Sequence, residues 1–365
     1  MKIASIVGTR PNFMKIASLV EEFKKQGIDH VLVHTGQHYD EKMSDLFFNE
    51  LRIPRPNINL NVGEGNSLAQ IGEIKKKLKK YLKNIKPDIV VVVGDVNSTL
   101  AGAEAAHESG FKIAHVEAGL RSFDNTMPEE FNRVETDKIS DFLFTTEVSG
   151  NKNLLNEGVS KDKIFFVGNV MIDTLLKHKE RAKMSGILSK LNLDKGNYAV
   201  LTLHRPANVD GKKGFENIIS ILEKIQEKIK IVFPVHPRTA KNIKLFGLGK
   251  KMKSMRNLII TQPLGYLDFI HLMANSKLVL TDSGGIQEET TVLRIPCITL
   301  RNSTERPVTV EHGTNLLVST DVHNVIEESL KVIDGKFKNG RKIPKLWDGK
   351  ASQRIVRILI DNFKR

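Results

Sequence analysis

The residues best suited to chemistry stand where apolar runs give way to glycine, charge or histidine. The densest such point is Leu280–Glu289, where a strand-like run leads through Thr281 and Asp282 into Ser283, Gly284 and Gly285, and then straight into a helical pattern. Paired glycines let an anion approach the amides that a helix start leaves unbonded, and the helix dipole favours negative charge there. Glu289, early in the same helix, stands where it would accept hydrogen bonds from a ribose. The segment reads as a diphosphate site rather than an ordinary turn.

Two acids follow other apolar runs: Asp95 after Val90–Gly94, and Glu117 after Ala114–Val116. Carboxylates at the tips of neighbouring strands are not core packing, because burying one ionised and unpartnered is costly. Capping a helix is the plain alternative for Asp95, although Asn97–Thr99 are able to cap it themselves. In Met127–Arg133, Glu129 and Arg133 fall one helical turn apart, where a surface ion pair is the plain alternative. Near the N-terminus, Gly8–Pro11 with Lys15 a turn later brings Arg10 and Lys15 to a glycine turn, which suits phosphate and equally suits a structural turn. Two further runs end in histidine beside proline and arginine, His204-Arg205 and His236–Arg238. Either histidine alone is as readily a turn residue; together they favour an anion site. His30, His34 and His38 fall on a strand and the turn after it, so helical ligand spacing does not apply and a zinc site is rejected.

Elements of a particular kind must carry these residues. Short apolar strands alternate with amphipathic helices: Ile3–Val7, His30–Val33, Ile89–Val93, Ile113–Val116 and Phe142–Thr145, then, after a helix near Asn169–Ala182 and a polar stretch, Tyr198–Leu203, Ile231–Val235, Leu258–Thr261, Leu278–Thr281, Cys297–Leu300 and Leu316–Ser319. This alternation predicts an α/β chain of two Rossmann-like, doubly wound parallel-sheet domains facing a cleft. The domains are expected at residues 1–170 and 171–350, with a final helix in 351–365 able to pack back on the first. In such sheets ligands lie at the carboxyl ends of strands, where the two glycine turns, Asp95, Glu117 and the two histidine–arginine runs fall.

At 365 residues the chain exceeds one ordinary core, and roughly two domains of 150–200 residues are the natural division. Apolar runs fall far short of the ~20 residues that span a bilayer, and the start carries no leader pattern, so no membrane and a cytoplasmic location are expected. A single cysteine, Cys297, excludes an internal disulfide and reads as a core thiol. The net charge of +14 raises the question of nucleic acid. However, the lysines of Lys75–Lys80 fall on the solvated side of a helix whose apolar face is Ile71, Ile74, Leu78, Leu82 and Ile85, and 6% aromatic residues supply no stacking platform. No nucleic-acid partner is expected. No Gly-x-Gly-x-x-Gly survives, since Leu68 stands where the third glycine belongs after Gly63 and Gly65, and there is no P-loop. The phosphate is therefore not that of a nicotinamide dinucleotide or of ATP in a Walker loop.

Taken in order, Gly8–Pro11, Gly94-Asp95, His115–Arg121, Pro128–Glu130 with Asn132-Arg133, His204-Arg205, Pro234–Pro237, Thr281–Glu289 and Thr304–Pro307 resemble the non-hydrolysing UDP-N-acetylglucosamine 2-epimerases, from near the N-terminus to about Pro307. The resemblance implies the glycosyltransferase-B architecture and interconversion of UDP-N-acetylglucosamine and UDP-N-acetylmannosamine by elimination and re-addition of UDP through 2-acetamidoglucal, with no cofactor. It implies Asp95, Glu117 and Glu129 as acid/base groups, with Arg10, Lys15 and His204 stabilising the diphosphate and developing charge beside Arg205. Ser283, Gly284 and Gly285 would cradle phosphate, and Glu289 would hold the ribose. The loop Leu264–Phe269 would border uracil, and His236 and Arg306 would line the cleft. A UDP-sugar is the expected small-molecule partner, and a homodimer the expected assembly.

The chain departs from many bacterial members at Pro206 and Ala207, which follow His204-Arg205. In addition, Thr35–Asp40 with Met43–Asp45, and Leu120–Phe123, look closer to relatives that epimerise UDP-2,3-diacetamido-2,3-dideoxyglucuronate, the alternative substrate. A glycosyltransferase of the same architecture would share the phosphate site but need an acceptor. A hydrolysing epimerase would release UDP and often carries a kinase domain, which this sequence lacks.

Overall fold

Ile89–Val93 is buried along its whole length, which requires a sheet covered on both faces. The computed structural model describes residues 1–37, 41–63, 65–337, 340 and 342–363. It separates into two compact units, Met1–Lys177 with Lys345–Arg365, and His178–Pro344.

The first unit holds strands β1 (Lys2–Val7), β2 (Asp29–His34), β3 (Ile58–Asn59), β4 (Ile89–Val93), β5 (Lys112–Ala118), β6 (Phe142–Thr145) and β7 (Ile164–Phe166). They pair in parallel in the order β3-β2-β1-β4-β5-β6-β7. The order reverses between β1 and β4, and their carboxyl ends, with that of β5, carry Gly8, Asp95 and Glu117.

The second unit repeats the plan with β8 (Tyr198–Thr202), β9 (Lys230–Pro234), β10 (Leu258–Thr261), β11 (Leu278–Thr281), β12 (Cys297–Leu300) and β13 (Asn315–Val318). These are parallel in the order β10-β9-β8-β11-β12-β13, with the reversal between β8 and β11. Both sheets are thus doubly wound, as expected from the alternation of elements.

The helix Ser67–Ile85 buries Ile71, Ile74, Leu78 and Leu82. Its basic segment is solvated and paired in part: Lys75 meets Glu104 at 3.1 Å and Glu108 at 3.0 Å. The last helix, Ala351–Phe363, packs on the first, Arg10–Lys25. Asp173 fixes its start, accepting the Ala351 and Ser352 amides at 3.1 and 2.7 Å, and the Trp347 indole donates to the Thr146 carbonyl at 2.9 Å. The change of unit therefore falls inside the helix Val170–Ala182, whose first half is committed to this contact. Cys297 is buried in β12, and burial pushes its thiol up to about 11. Among the described residues no helix is long and apolar enough to cross a membrane, and no group of three His, Cys, Asp or Glu side chains is placed to hold a metal ion.

Candidate active site

At the end of β1 the Gly8 and Thr9 amides donate to Asn12 Oδ1 at 3.0 and 3.1 Å, and Asn12 Nδ2 donates to the Val93 carbonyl at 2.9 Å. The glycine turn thus ties β1 to β4 instead of offering these two amides to an anion. Arg10 lies over the Phe47 ring, 5.9 Å from its centroid. Lys15 is buried, and its Nζ lies 2.8 Å from both Glu117 oxygens. Gly94 makes room for this ammonium: its φ is +72°, and a Cβ there would lie 2.6 Å from Lys15 Nζ.

Glu117 has a backbone φ of +80°, and the β5–β6 register shifts between Val116 and Ala118. A non-glycine residue in this region stores on the order of 1–3 kcal/mol of strain, which persists only where the surroundings enforce it. They do so through a buried network. Asp137 accepts the Gly119 amide at 3.0 Å and pairs with Arg121 at 2.8 Å, and its Oδ1 lies 2.6 Å from His115 Nδ1. His115 Nε2 lies 2.8 Å from the Gly94 carbonyl. One carboxylate therefore reaches the backbone just before Asp95 and just after Glu117. Burial alone would raise the Asp137 carboxyl, but His115 and Arg121 hold it below the ordinary range.

Asp95 Oδ2 receives Arg133 Nε at 3.1 Å and Nη2 at 2.7 Å, and Arg133 Nη1 donates to Glu130 at 2.5 Å. The plain reading of Arg133 as a surface partner of Glu129 is corrected here. Arg133 is buried and bridges Asp95 and Glu130, while Glu129 is half-buried and makes no ion pair among the described residues. Near the start of β2 His30 Nε2 contacts Ser5 Oγ at 2.9 Å, and at its end His34 Nδ1 accepts the Gly36 amide at 2.9 Å. Burial lowers both imidazoles to about 4. His38, Tyr39 and Asp40 lie outside the described residues.

In the second unit Asp282, fully buried after β11, is the hub. It accepts the His204 amide at 3.1 Å, the Arg205 amide at 3.0 Å and Asn208 Nδ2 at 3.0 Å, and pairs with His204 Nδ1 at 3.0 Å. Burial raises its carboxyl, but His204, Asn208 and the Arg205 amide outweigh it and hold it low. Nδ1 is thereby committed as donor on a side chain 48% exposed. Nε2 has no hydrogen-bond partner among the described residues, so the ring presents it outward as a proton acceptor or, once protonated, a cation.

Ser283 begins the helix Gly284–Leu293, and its amide donates to Thr281 Oγ1 at 3.0 Å. The Gly284 and Gly285 amides have no acceptor among the described residues, as the first turn of a helix leaves them. Gly284 admits a buried cation behind this turn, since a Cβ there would lie 2.4 Å from Arg306 Nη1. Arg306 is held by Glu288 at 2.8 Å and by Glu305, which also binds Arg301 at 2.7 Å. Arg306 is thus a buried support of the glycine turn. Arg205 is partly buried, with Nε donating to the Asp282 carbonyl at 3.3 Å. Glu289 is also buried. It accepts the Tyr266 hydroxyl at 3.0 Å, and burial, with Glu288 adding, pushes its carboxyl up to about 8 despite the Tyr266 bond. His236 is exposed and caps the helix Pro237–Leu245, while Leu264 and Phe269 pack against the core around Tyr198 and Val232.

Asp282, Asn208, Asp137, Glu130 and Glu305 are not among the candidate site residues legible in the sequence. Asp282 did carry a signal, an acid directly after a strand, like Asp95.

Known proteins similar to this chain share one family. The sequence model of the family described as UDP-N-acetylglucosamine 2-epimerase matches residues 21–360. The UDP-N-acetylglucosamine 2-epimerase of Methanocaldococcus jannaschii is 45% identical over 366 residues, covering 98% of this chain and 99% of the relative. The UDP-2,3-diacetamido-2,3-dideoxy-D-glucuronate 2-epimerase of Pseudomonas aeruginosa is 38% identical, covering 98% and 99%. A crystal structure of the Methanocaldococcus jannaschii UDP-GlcNAc 2-epimerase, in complex with UDP-GlcNAc and UDP, superposes with a TM-score of 0.92 at 44% identity, covering 99% of this chain and 100% of that one. The chain belongs to the UDP-N-acetylglucosamine 2-epimerase family, whose members are isomerases acting on nucleotide sugars.

Proposed function

We propose that the protein interconverts UDP-N-acetylglucosamine and UDP-N-acetylmannosamine by eliminating and re-adding UDP. The observation that carries this is the pair of acids at adjacent strand tips, Asp95 and Glu117, the second strained and bound to Lys15. The C2 proton beside an acetamido group is not acidic, so direct deprotonation is a poor route. The C1–O bond breaks first and UDP leaves with the electron pair. A carboxylate then takes the C2 proton, giving 2-acetamidoglucal. In the return, UDP oxygen adds to C1 and a protonated carboxyl delivers a proton to the other face of C2. Atoms and charge balance with no redox group.

Asp95, Glu117 and Glu129 are the acid/base set in this reading. His204, oriented by Asp282, and Arg205 and Arg10 offset charge on the departing diphosphate. Lys15 does the same by exchanging Glu117 for phosphate. Ser283, Gly284 and Gly285 cradle the diphosphate at the helix start. Glu289 accepts from the ribose, Leu264 and Phe269 border uracil, and His236 lies nearby. A homodimer in the cytoplasm completes the reading, and sedimentation tests the dimer.

One second reading has an observation in its favour. The Pseudomonas aeruginosa relative acts on the diacetamido-glucuronate sugar, and this chain is similar to it over almost its full length. Supplying each UDP-sugar separately to the purified protein and identifying the product by NMR distinguishes the two. Turnover of neither would overturn both.

A further inference from the structure

Phe123 combines two unfavourable features. Its φ is +57°, a region aromatic side chains avoid, and its residue is 75% exposed. Backbone strain of this kind clusters at ligand contacts and persists only where the surrounding structure enforces it. Here no burial repays it, although Leu120, Arg121 and Ser122 just before it are buried.

The strain is imposed by Glu130. Its carboxylate accepts the Ser122 amide at 2.9 Å, the Ser122 hydroxyl at 2.8 Å and the Phe123 amide at 3.0 Å. One fork thus grips two successive amides and turns the chain so that the ring points away from the core. The Oε2 that accepts from Ser122 also accepts from Arg133, which donates in turn to Asp95. The turn carrying Phe123 is therefore built on the same buried arginine that orients a candidate acid.

We propose that Phe123 is a specificity-determining residue that contacts the sugar of the UDP-sugar, covering the apolar C–H face or acetamido methyl beside C2. This rests on the function proposed above. An aromatic ring on a turn tethered through Glu130 and Arg133 to Asp95 suits a pyranose, whose C–H face is poorly hydrated. The tether ends on Asp95, so the moiety contacted is the sugar rather than the nucleotide.

The test uses Phe123→Asn, which removes the ring and tolerates positive φ, and Phe123→Tyr, which keeps the ring. Phe123→Asn should melt no lower than wild type and keep its UDP affinity. Its kcat/KM for the UDP-sugar that wild type epimerises should fall about tenfold or more, mainly through KM, while Phe123→Tyr stays close to wild type. Unchanged kcat/KM in Phe123→Asn overturns the proposal. So does a parallel loss of UDP affinity, or a Phe123→Tyr as impaired as Phe123→Asn. A wild type that epimerises neither UDP-sugar strikes instead at the function on which the proposal rests.

Discussion

Lys15 Nζ lies 2.8 Å from both oxygens of Glu117, and Glu117 meets it from a backbone held at φ +80°. The pair is almost wholly buried, so each charge depends on the other for the solvation water would have given. It spans 102 positions of sequence and joins the helix after β1 to the end of β5.

Removing one partner should therefore destabilise the fold by about 3–5 kcal/mol. Lys15→Met should lower the urea midpoint accordingly, and Glu117→Gln should lose roughly 10²–10⁴ in turnover while still binding UDP. The double variant should recover part of the lost stability but none of the activity. Additive stability losses in the double variant would show that the pair is not coupled, and normal turnover in Glu117→Gln would remove Glu117 from the chemistry.

Asp282 has its carboxyl held low by His204, Asn208 and the Arg205 amide. A depressed folded-state value contributes stability above the unfolded value, near 3.9, that is lost as pH falls through the folded one. Asp282→Asn should thus melt below wild type at pH 7, with the gap closing below about pH 4. UDP affinity should fall about tenfold as His204 loses its orientation. A gap that persists unchanged to pH 3 would contradict the electrostatic role.

Glu289 behaves in the opposite sense, with its carboxyl raised to about 8 by burial. The folded chain then holds a proton that the unfolded chain has already lost, so stability falls as pH rises from the ordinary carboxyl range toward 8. Glu289→Gln keeps a partner for Tyr266 and should flatten this decline. Urea midpoints at pH 5 and pH 8.5 check it, and parallel declines in both proteins would count against it.

Gly284 has Arg306 Nη1 and Glu305 Oε1 at 2.4 and 2.6 Å from where a Cβ would stand. Because Arg306 is pinned by two glutamates, Gly284→Ala should cost about 1–3 kcal/mol and disturb the helix start. Calorimetry should show UDP binding weakened, and wild-type affinity would mean that the turn does not hold phosphate.

Much of this was legible before the structure. Runs such as Ile89–Val93 are apolar throughout, and only a strand buried on both faces uses such a run, so both sheets and their tips followed. The acids Asp95 and Glu117 stood out because polar residues there have no packing reason. Their partners did not stand out. The helical spacing of Glu129 and Arg133 suggested a surface pair, but spacing cannot weigh a distant carboxylate, and Arg133 turned inward to Asp95. Lys15 stood out by its spacing from Gly8, but nothing local reveals its partner Glu117 on β5. Asp282 was hidden by the glycines beside it, whose phosphate reading left the preceding acid without a role.

The most direct measurement is incubation with UDP-N-acetylglucosamine in heavy water, without added cofactor, followed at C2 by proton NMR. UDP-N-acetylmannosamine should appear with deuterium at C2, since the proton delivered to the new face comes from a solvent-exchanging carboxyl. Product that keeps its C2 proton would contradict elimination and re-addition through these acids, and a protein that binds UDP yet turns over neither UDP-sugar would contradict the epimerase reading itself.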